Sequence, residues 1–271
     1  MGWWSILCAM AALNILAWLR TAATLARRRV DIPVEVYTAR RRQLQLSTVY
    51  VFGCAFRSAF PVYDIPRIGV VDSWLSSVIL GRSIATLAEL CFVGQWALML
   101  GETAKATGSR VAQIVSRALV PLIAIAECCS WYAVLTTSNL GHVAENSLWG
   151  LSAALVVIGL LATRSRAPSI QRPVLNAWYV AGIAYVAFIF LFDVPMYWSR
   201  WLADEASGRH YLSVAQGVLD VSTRRVVSHR WEDWKSEIAW MSLYFSAGVW
   251  ISISLVQAPA SPLPRARQTP R

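Results

Sequence analysis

The sequence has few charged residues, which make up 15% of its 271 positions, against about 25% in an average soluble domain. Hydrophobic residues make up 56% of the chain. Trp and Tyr, which collect where hydrocarbon meets lipid headgroups, flank many of the apolar runs. This composition excludes an ordinary water-soluble globule and indicates a protein that lies in a lipid bilayer.

Metal-ligand and cofactor motifs are also missing. The three His residues are too few for a His-rich di-iron or zinc membrane enzyme, and no C-x-x-C or Cys/His ligand spacing occurs. All five Cys lie inside apolar runs, where a free thiol behaves as a small hydrophobe, so no disulfide framework is predicted. Gly-rich phosphate motifs and G-x-S-x-G patterns are absent too. The sequence therefore predicts no metal and no cofactor.

The basic excess of the chain does not indicate a nucleic-acid partner. The net charge is +10, but the basic residues form short clusters between apolar stretches and not one soluble basic face. Basic connecting loops are typical of membrane proteins. We therefore predict the lipid bilayer as the main partner and no nucleic acid.

Seven apolar runs can each reach roughly 17 to 25 residues, the length that a helix needs to cross about 30 Å of hydrocarbon. They are Trp3–Leu19, 44–60, 81–100, 114–135, 143–162, 174–195 and 237–257. The second is the weakest, because it is short and contains Arg57, and the adjacent stretch Ile68–Leu80 could be re-entrant, so six or eight crossings are alternatives. We predict an all-α, polytopic integral membrane helix bundle with seven transmembrane helices in one domain, residues 1–257.

The distribution of basic residues predicts the orientation of this bundle. Seven Arg between residues 20 and 42 place the first loop in the cytoplasm. Alternation then puts the N-terminus outside and the C-terminus inside (N-out/C-in), with 258–271 as a disordered cytoplasmic tail. Loop 199–236 carries six cations on the outer side, but about forty residues weaken its topological effect. We expect the plasma membrane, which is the inner membrane of a bacterium.

Two acidic residues lie deep inside the predicted helices. An ionisable group in hydrocarbon costs roughly 2.5–3.5 kcal/mol, so each should face the bundle interior. At 1.5 Å per residue, Glu89 and Glu127 both lie about 12 Å below the outer ends of their helices. If these two helices face each other, the side chains form a paired carboxylate site.

Further polar side chains share helix faces near the same side. His142, Glu145, Asn146 and Trp149 follow at spacings of three, four and seven, as do Asp193, Tyr197 and Arg200 at four and seven, although Pro195 can bend that turn. The predicted catalytic residues are Glu89, Glu127, Glu145 and Asp193. The predicted substrate-binding residues are His142, Asn146, Trp149, Tyr197, Arg82 and Arg200. The alternative is structural: Arg57, Arg67 and Arg82 neutralise Asp64, Asp72 and Glu89, while Glu145 and Asp193 are solvated or act as caps near helix ends.

Three functions fit this pattern. The first is an enzyme or binding protein with an outward-opening cavity that acts on a lipid or isoprenoid-like lipophilic small molecule by acid–base chemistry. The second is a proton-coupled transporter, against which polar groups nearly vanish from the inner half beyond Asn14 and Asn176. The third is a non-catalytic subunit or sensor, whose loop 199–236 docks a membrane protein partner or a second copy of the chain.

Overall fold

The computed structural model describes residues 2–164 and 172–258. The long apolar runs form helices, and five of them are uninterrupted: α1 (Gly2–Arg27), α2 (Val34–Ala59), α3 (Val78–Thr107), α4 (Arg110–Thr136) and α5 (Asn139–Arg164). Two further rods each contain a π-helical turn. They are α6 (Arg172–Phe188), Ile189–Asp193 and α7 (Val194–Ala206), and α9 (Trp231–Leu243), Tyr244–Gly248 and α10 (Val249–Gln257). The predicted tail lies outside the described residues apart from Ala258.

Six of these rods are long and apolar enough to cross a membrane, which confirms a multi-pass helical membrane protein. The seventh, α2, is not among the six, in agreement with its run being the weakest, although the helix has 26 residues because it begins at Val34, ahead of the apolar run. It is less apolar than the other six because Arg40, Gln43, Ser47 and Arg57 lie on it, and all four side chains are buried in the bundle. Low hydropathy in α2 therefore reflects a polar face that points inward, together with exposed polar residues nearer its start, namely Glu35, Arg41, Arg42 and Gln45.

Rods that are consecutive in the chain run antiparallel, whereas the first rod and the last, α1 and α9–α10, run parallel side by side. The indole Nε1 of Trp4, at the start of α1, donates to the carbonyl oxygen of Ala59 at the end of α2 (3.2 Å). At the other end of the bundle, Nε2 of Gln257 donates to Oγ1 of Thr21 (2.8 Å). We call the side that carries residues 60–77 and 207–230 the cap side, and the opposite side, which carries 28–33, the far side.

A small layer of strands and one helix covers the cap side. Strand β1 (Val62–Tyr63) pairs antiparallel with β2 (Ile68–Gly69), and β2 pairs parallel with β3 (Val226–Val227). Helix α8 (Val214–Thr223) packs against the end of α4. The connecting segment is 207–230 and not the predicted 199–236, because α7 continues to Ala206 and ends before Gly208, whose φ of 65° stops the helix.

Arg67 joins this layer to the bundle. Its guanidinium, which is buried, donates to Oδ2 of Asp220 (2.8 Å) and to the carbonyl oxygens of Asp64 and Val134 (both 2.6 Å). The expected neutralisation of Asp64 or Asp72 by Arg67 is therefore wrong, and Asp72 pairs with Arg225 (3.3 Å). In both pairs, Arg67 with Asp220 and Asp72 with Arg225, the residues lie 153 positions apart, so no local sequence spacing indicates the contact.

Two apolar cores flank an internal space. One joins α3, α4, α5 and α6 through Leu100, Leu119 and Leu160, and the other joins α1, α2, α9 and α10 through residues such as Val51 and Met241. The candidate site lies between these two cores.

Candidate functional site

Arg82 lies at the centre of a buried acidic cluster. Its Nη2 is 2.6 Å from Oε2 of Glu127, 3.2 Å from Oε2 of Glu89 and 3.3 Å from Oε1 of Glu145. Glu89 follows Arg82 by seven residues and shares its face of α3, while Glu127 comes from α4 and Glu145 from α5. The structure thus brings Glu89 and Glu127 together, as their matched depths predicted, and adds Glu145 to them.

Each carboxylate has a second partner. The Thr86 hydroxyl donates to Glu127 (2.6 Å) and accepts from Nε1 of Trp131 (3.1 Å). The Tyr244 hydroxyl donates to Oε1 of Glu89 (3.0 Å), and Nδ1 of His142 lies 2.7 Å from Oε2 of Glu145. With Trp131, which contacts Thr86 and not a carboxylate, the surrounding partners number four: Thr86, Trp131, Tyr244 and His142.

Sequence reasoning missed three of these four partners. Thr86 is four residues after Arg82 and three before Glu89, and Trp131 is four residues after Glu127, so helical spacing from the acidic residues could have identified both. No such signal connects Tyr244 with Glu89, since they lie on different rods and 155 positions apart.

The cluster has more negative than positive charge. Three carboxylates face one guanidinium, and Oε1 of Glu127 and Nε of Arg82 are buried without a hydrogen-bond partner among the described residues. Buried charge is costly unless it is paired. The carboxylate oxygens are close enough to ligate a metal ion, but Nη2 of Arg82 already contacts one oxygen of each Glu. Here the guanidinium acts as the central cation.

A cavity of about 520 Å³ extends from this cluster into the bundle. Eight of the ten predicted site residues line it: Arg82, Glu89, His142, Glu145, Asn146, Trp149, Asp193 and Tyr197. Glu127 lies behind Arg82 and not on the cavity wall. Further along, the wall becomes apolar, with Trp96, Leu119, Val156, Trp178 and Ile251. The cavity therefore has a charged end and an apolar end.

Arg200 does not line the cavity but binds a residue that does. It lies 3.4 Å from Oε1 of Glu237 and stacks over the Tyr197 and Tyr63 rings. Glu237, which is 1% exposed, also accepts from Nε1 of Trp240 (2.6 Å). Burial and the Glu237 carboxylate raise the pKa of Tyr63 to about 12, so its hydroxyl stays protonated. Sequence reasoning missed Glu237 because it is the first residue of the predicted seventh run.

The two π-helical turns lie on two different rods, and residues of both turns line the cavity. Asp193 ends the first, two residues before Pro195, and Tyr244 begins the second. Single π turns inside helices are frequent at functional sites. In the second turn a Cβ atom on Gly248 would lie 2.6 Å from the Tyr50 hydroxyl, so Gly248 allows Tyr50 to reach the cavity wall.

A second polar network lies nearer the far side. The amides of Gln43 and Gln95 each donate to the other residue's carbonyl oxygen (3.0 and 3.1 Å). The Ser252 hydroxyl lies 2.6 Å from Oε1 of Gln95 and 3.0 Å from Oγ of Ser47. The expectation that polar groups nearly vanish from this half is therefore wrong, because these uncharged amides and hydroxyls lie there in addition to Asn14 and Asn176.

No protein family model, curated protein or solved structure matches this chain. Its function therefore has to follow from the chemistry of the cavity and its charged end. On the geometry alone, the chain is a multi-pass helical membrane protein with a buried acidic cluster.

Proposed function

We propose that the protein binds one amphiphilic, lipid or isoprenoid-like molecule in the cavity and acts on its polar end by acid–base chemistry. The observation that carries this proposal is the division of one cavity of about 520 Å³ into a charged end and an apolar end. Its volume lies within the roughly 300–1,000 Å³ of small-molecule sites. An apolar tail would lie among Trp96, Trp178 and Ile251, with the polar end near Arg82.

Glu89 and Glu145 are the candidates for acid and base. Both line the cavity and both contact Arg82, but Glu89 accepts from Tyr244 while Glu145 contacts His142. Two carboxyl groups in unlike environments can divide the roles of proton donor and proton acceptor. Glu127, behind the guanidinium, would then be a positioning residue for Arg82.

Asp193 and the other residues of the charged end complete the site. Asp193 faces the same space from the sixth rod, and His142, Asn146, Trp149 and Tyr197 provide contacts for the polar end of the ligand. Arg200 would position Glu237 and not contact the ligand itself.

In this proposal the chain crosses the plasma membrane seven times, N-out/C-in, with the charged end of the cavity in the outer half. At 1.5 Å per residue, the 26 residues of α2 extend about 39 Å, enough for a crossing. Its buried polar face accounts for part of its low hydropathy, and the exposed Arg41 and Arg42 lie near its far-side end. Among the cap-side cations, Arg209, Arg224 and Arg225 are each paired with an Asp, which reduces the charge that opposes this orientation.

Copurifying lipophilic molecules provide the test. We expect native mass spectrometry of the purified protein to show one bound class of lipophile, and Glu89→Gln or Glu145→Gln to lower its occupancy at least tenfold or to change its chemical form. Glu102→Gln is the matched control, since Glu102 pairs with Arg40 (3.8 Å) near the far side and does not line the cavity.

Two results would contradict the proposal. One is that no lipophile copurifies with the folded wild-type protein. The other is that Glu89→Gln and Glu145→Gln both carry the same molecule at the same occupancy as Glu102→Gln.

A proton-coupled transporter is the second candidate, and the buried face of α2 favours it. Arg40, Gln43, Ser47, Tyr50 and Arg57 follow at spacings of three, four, three and seven and are all buried, so polar groups extend along the helix. Proton-gradient-dependent solute uptake into vesicles, lost in Tyr50→Phe, would support this function over the first.

A further inference from the structure

We propose that the bound amphiphile carries a cationic ammonium head. This inference rests on the proposed function, because it names the ligand class of the same cavity. It depends on the charges, the hydrogen-bond partners and the aromatic rings at the charged end.

Acidic residues outnumber basic ones on the cavity wall. Five acidic residues line it: Asp64, Glu89, Glu145, Asp193 and Glu237. Two Arg residues do, Arg57 and Arg82, so five minus two leaves an excess of three carboxyl groups on the wall. Arg200 behind the wall pairs with Glu237, and Glu127 behind Arg82 adds one more acid, so the excess stays at three. Carboxylates in a water-poor site are costly unless they are paired. A ligand with a positive head would provide the missing charge.

Both lining guanidinium groups are already engaged. Arg57 donates through Nη1 to the carbonyl oxygen of Gly81 (3.1 Å) and through Nη2 to that of Val62 (3.3 Å). Arg82 contacts three carboxylates through Nη2. Each keeps one Nε without a partner among the described residues. Two isolated N–H groups cannot balance a phosphate or sulfate head beside five acidic residues, so the wall disfavours an anionic ligand.

Aromatic rings add a second feature that suits a cation. Trp149, Tyr185, Tyr197, Trp240 and Tyr244 all line the cavity. Ammonium groups bind the faces of such rings, with about 0.5–2 kcal/mol per contact. The rings come from α5 and from both rods that contain π turns, so they surround the charged end from more than one side.

Ser152 provides an independent sign of a ligand. Its side chain is 3% exposed, lines the cavity and has no hydrogen-bond partner for Oγ among the described residues. It lies seven residues after Glu145 on the same face of α5, or about 10 Å further along at 1.5 Å per residue. This position is the boundary with the apolar end, where a ligand amide or hydroxyl would satisfy the hydroxyl of Ser152.

Equilibrium binding of matched probes tests the head charge. The full chain, in a neutral maltoside detergent, is titrated with hexadecylammonium, hexadecanol and hexadecyl phosphate, which share one chain length. We expect hexadecylammonium to bind at least tenfold more tightly than the other two. Glu237→Gln and Asp193→Asn should each reduce that preference at least threefold, while Glu102→Gln should keep it.

An unchanged midpoint of thermal unfolding in the same detergent shows that a variant is folded. Lysophosphatidylethanolamine distinguishes two sources of an ammonium group. If it binds more weakly than hexadecylammonium, the natural ligand is a free lipophilic amine; if it binds more tightly, the ligand is a membrane phospholipid. Both results support the ammonium head.

The inference is overturned if hexadecyl phosphate binds as tightly as hexadecylammonium, or if all three probes bind equally. In both cases a lipophile still occupies the cavity, so the proposed function survives. If none of the probes binds to folded protein, both proposals fail.

Discussion

At the scale of single residues, Arg82 determines the site, because one guanidinium holds carboxylates from three helices. Its replacement would leave three buried acidic groups beside one another. Such a variant is a poor test of function, because the protein would be destabilised before any effect on function could be measured. The partners of the carboxylates are better targets, because each can be removed without a change in net charge.

Thr86→Val is such a change. Valine keeps the shape of threonine but removes the donor to Glu127 and the acceptor for Trp131, two groups that are buried or half-buried. We expect a loss of about 1–3 kcal/mol in the free energy of unfolding, the cost of a buried polar group left without its partner.

Thr48→Val is the matched control. The Thr48 hydroxyl donates only to the carbonyl oxygen of Leu44 in its own helix (2.8 Å), so its loss should cost little. The comparison is made by denaturant unfolding in one detergent. Equal destabilisation by the two changes would contradict the importance of Thr86 for the cluster.

At the scale of helices, close contact between α4 and α5 brings Glu127 and Glu145 to the same guanidinium. Gly141 makes this contact: a Cβ atom there would lie 2.6 Å from the carbonyl oxygen of Cys129 and 2.8 Å from the backbone nitrogen of Ala133. Backbone atoms cannot move aside as a flexible side chain can. The cluster therefore depends on a residue that carries no chemistry.

Gly141→Ala should separate α4 from α5. We expect destabilisation by about 1–3 kcal/mol, as for other overpacked interiors, and reduced copurification of the lipophile. Gly101→Ala is the control, because its nearest neighbour would be Oγ of Ser116 at 3.6 Å, an ordinary contact. Thermal unfolding in detergent measures both. A Gly141→Ala protein as stable as Gly101→Ala would show that the two helices tolerate a wider spacing.

At the scale of the whole molecule, five of the six apolar rods and α2 with its polar inner face line a cavity whose charged end is nearest the cap side, while α1 packs outside it against α2 and α10. The chain alternates between the two sides, so the position of any one connecting segment determines the others. Residues 28–33 and 207–230 lie on opposite sides of the bundle, and a crossing by α2 is required if the membrane separates them.

Labelling with a membrane-impermeant maleimide tests the topology. In intact cells we expect Ser207→Cys, on the cap side, to react, and Val30→Cys, on the far side and 92% exposed, to react only after permeabilisation. The unmodified chain, whose five Cys lie within apolar runs, provides the background. Reaction of Val30→Cys in intact cells would reverse the orientation, and reaction of both would place α2 outside the membrane.

The sequence by itself determined the helices and the faces within them. Run length predicted the crossing segments, and helical period placed His142, Glu145, Asn146 and Trp149 on one face, all four of which line the cavity. Equal depth also predicted that Glu89 and Glu127 could meet. These relations follow from the fixed rise and rotation of an α-helix, which any sequence of this pattern obeys.

Only the tertiary structure decided which helix faces which. It placed Arg82 among three Glu residues, paired Arg200 with Glu237, joined Gln43 to Gln95 and fastened the cap through Arg67 and Asp220. The rotation of each helix about its axis depends on contacts between segments far apart in the chain, such as Gly141 against Cys129 or Gly248 against Tyr50. No local period contains that information. Arg82 and the acidic residues could therefore be identified from the sequence, but the convergence of Glu89, Glu127 and Glu145 on one Arg82 nitrogen could not.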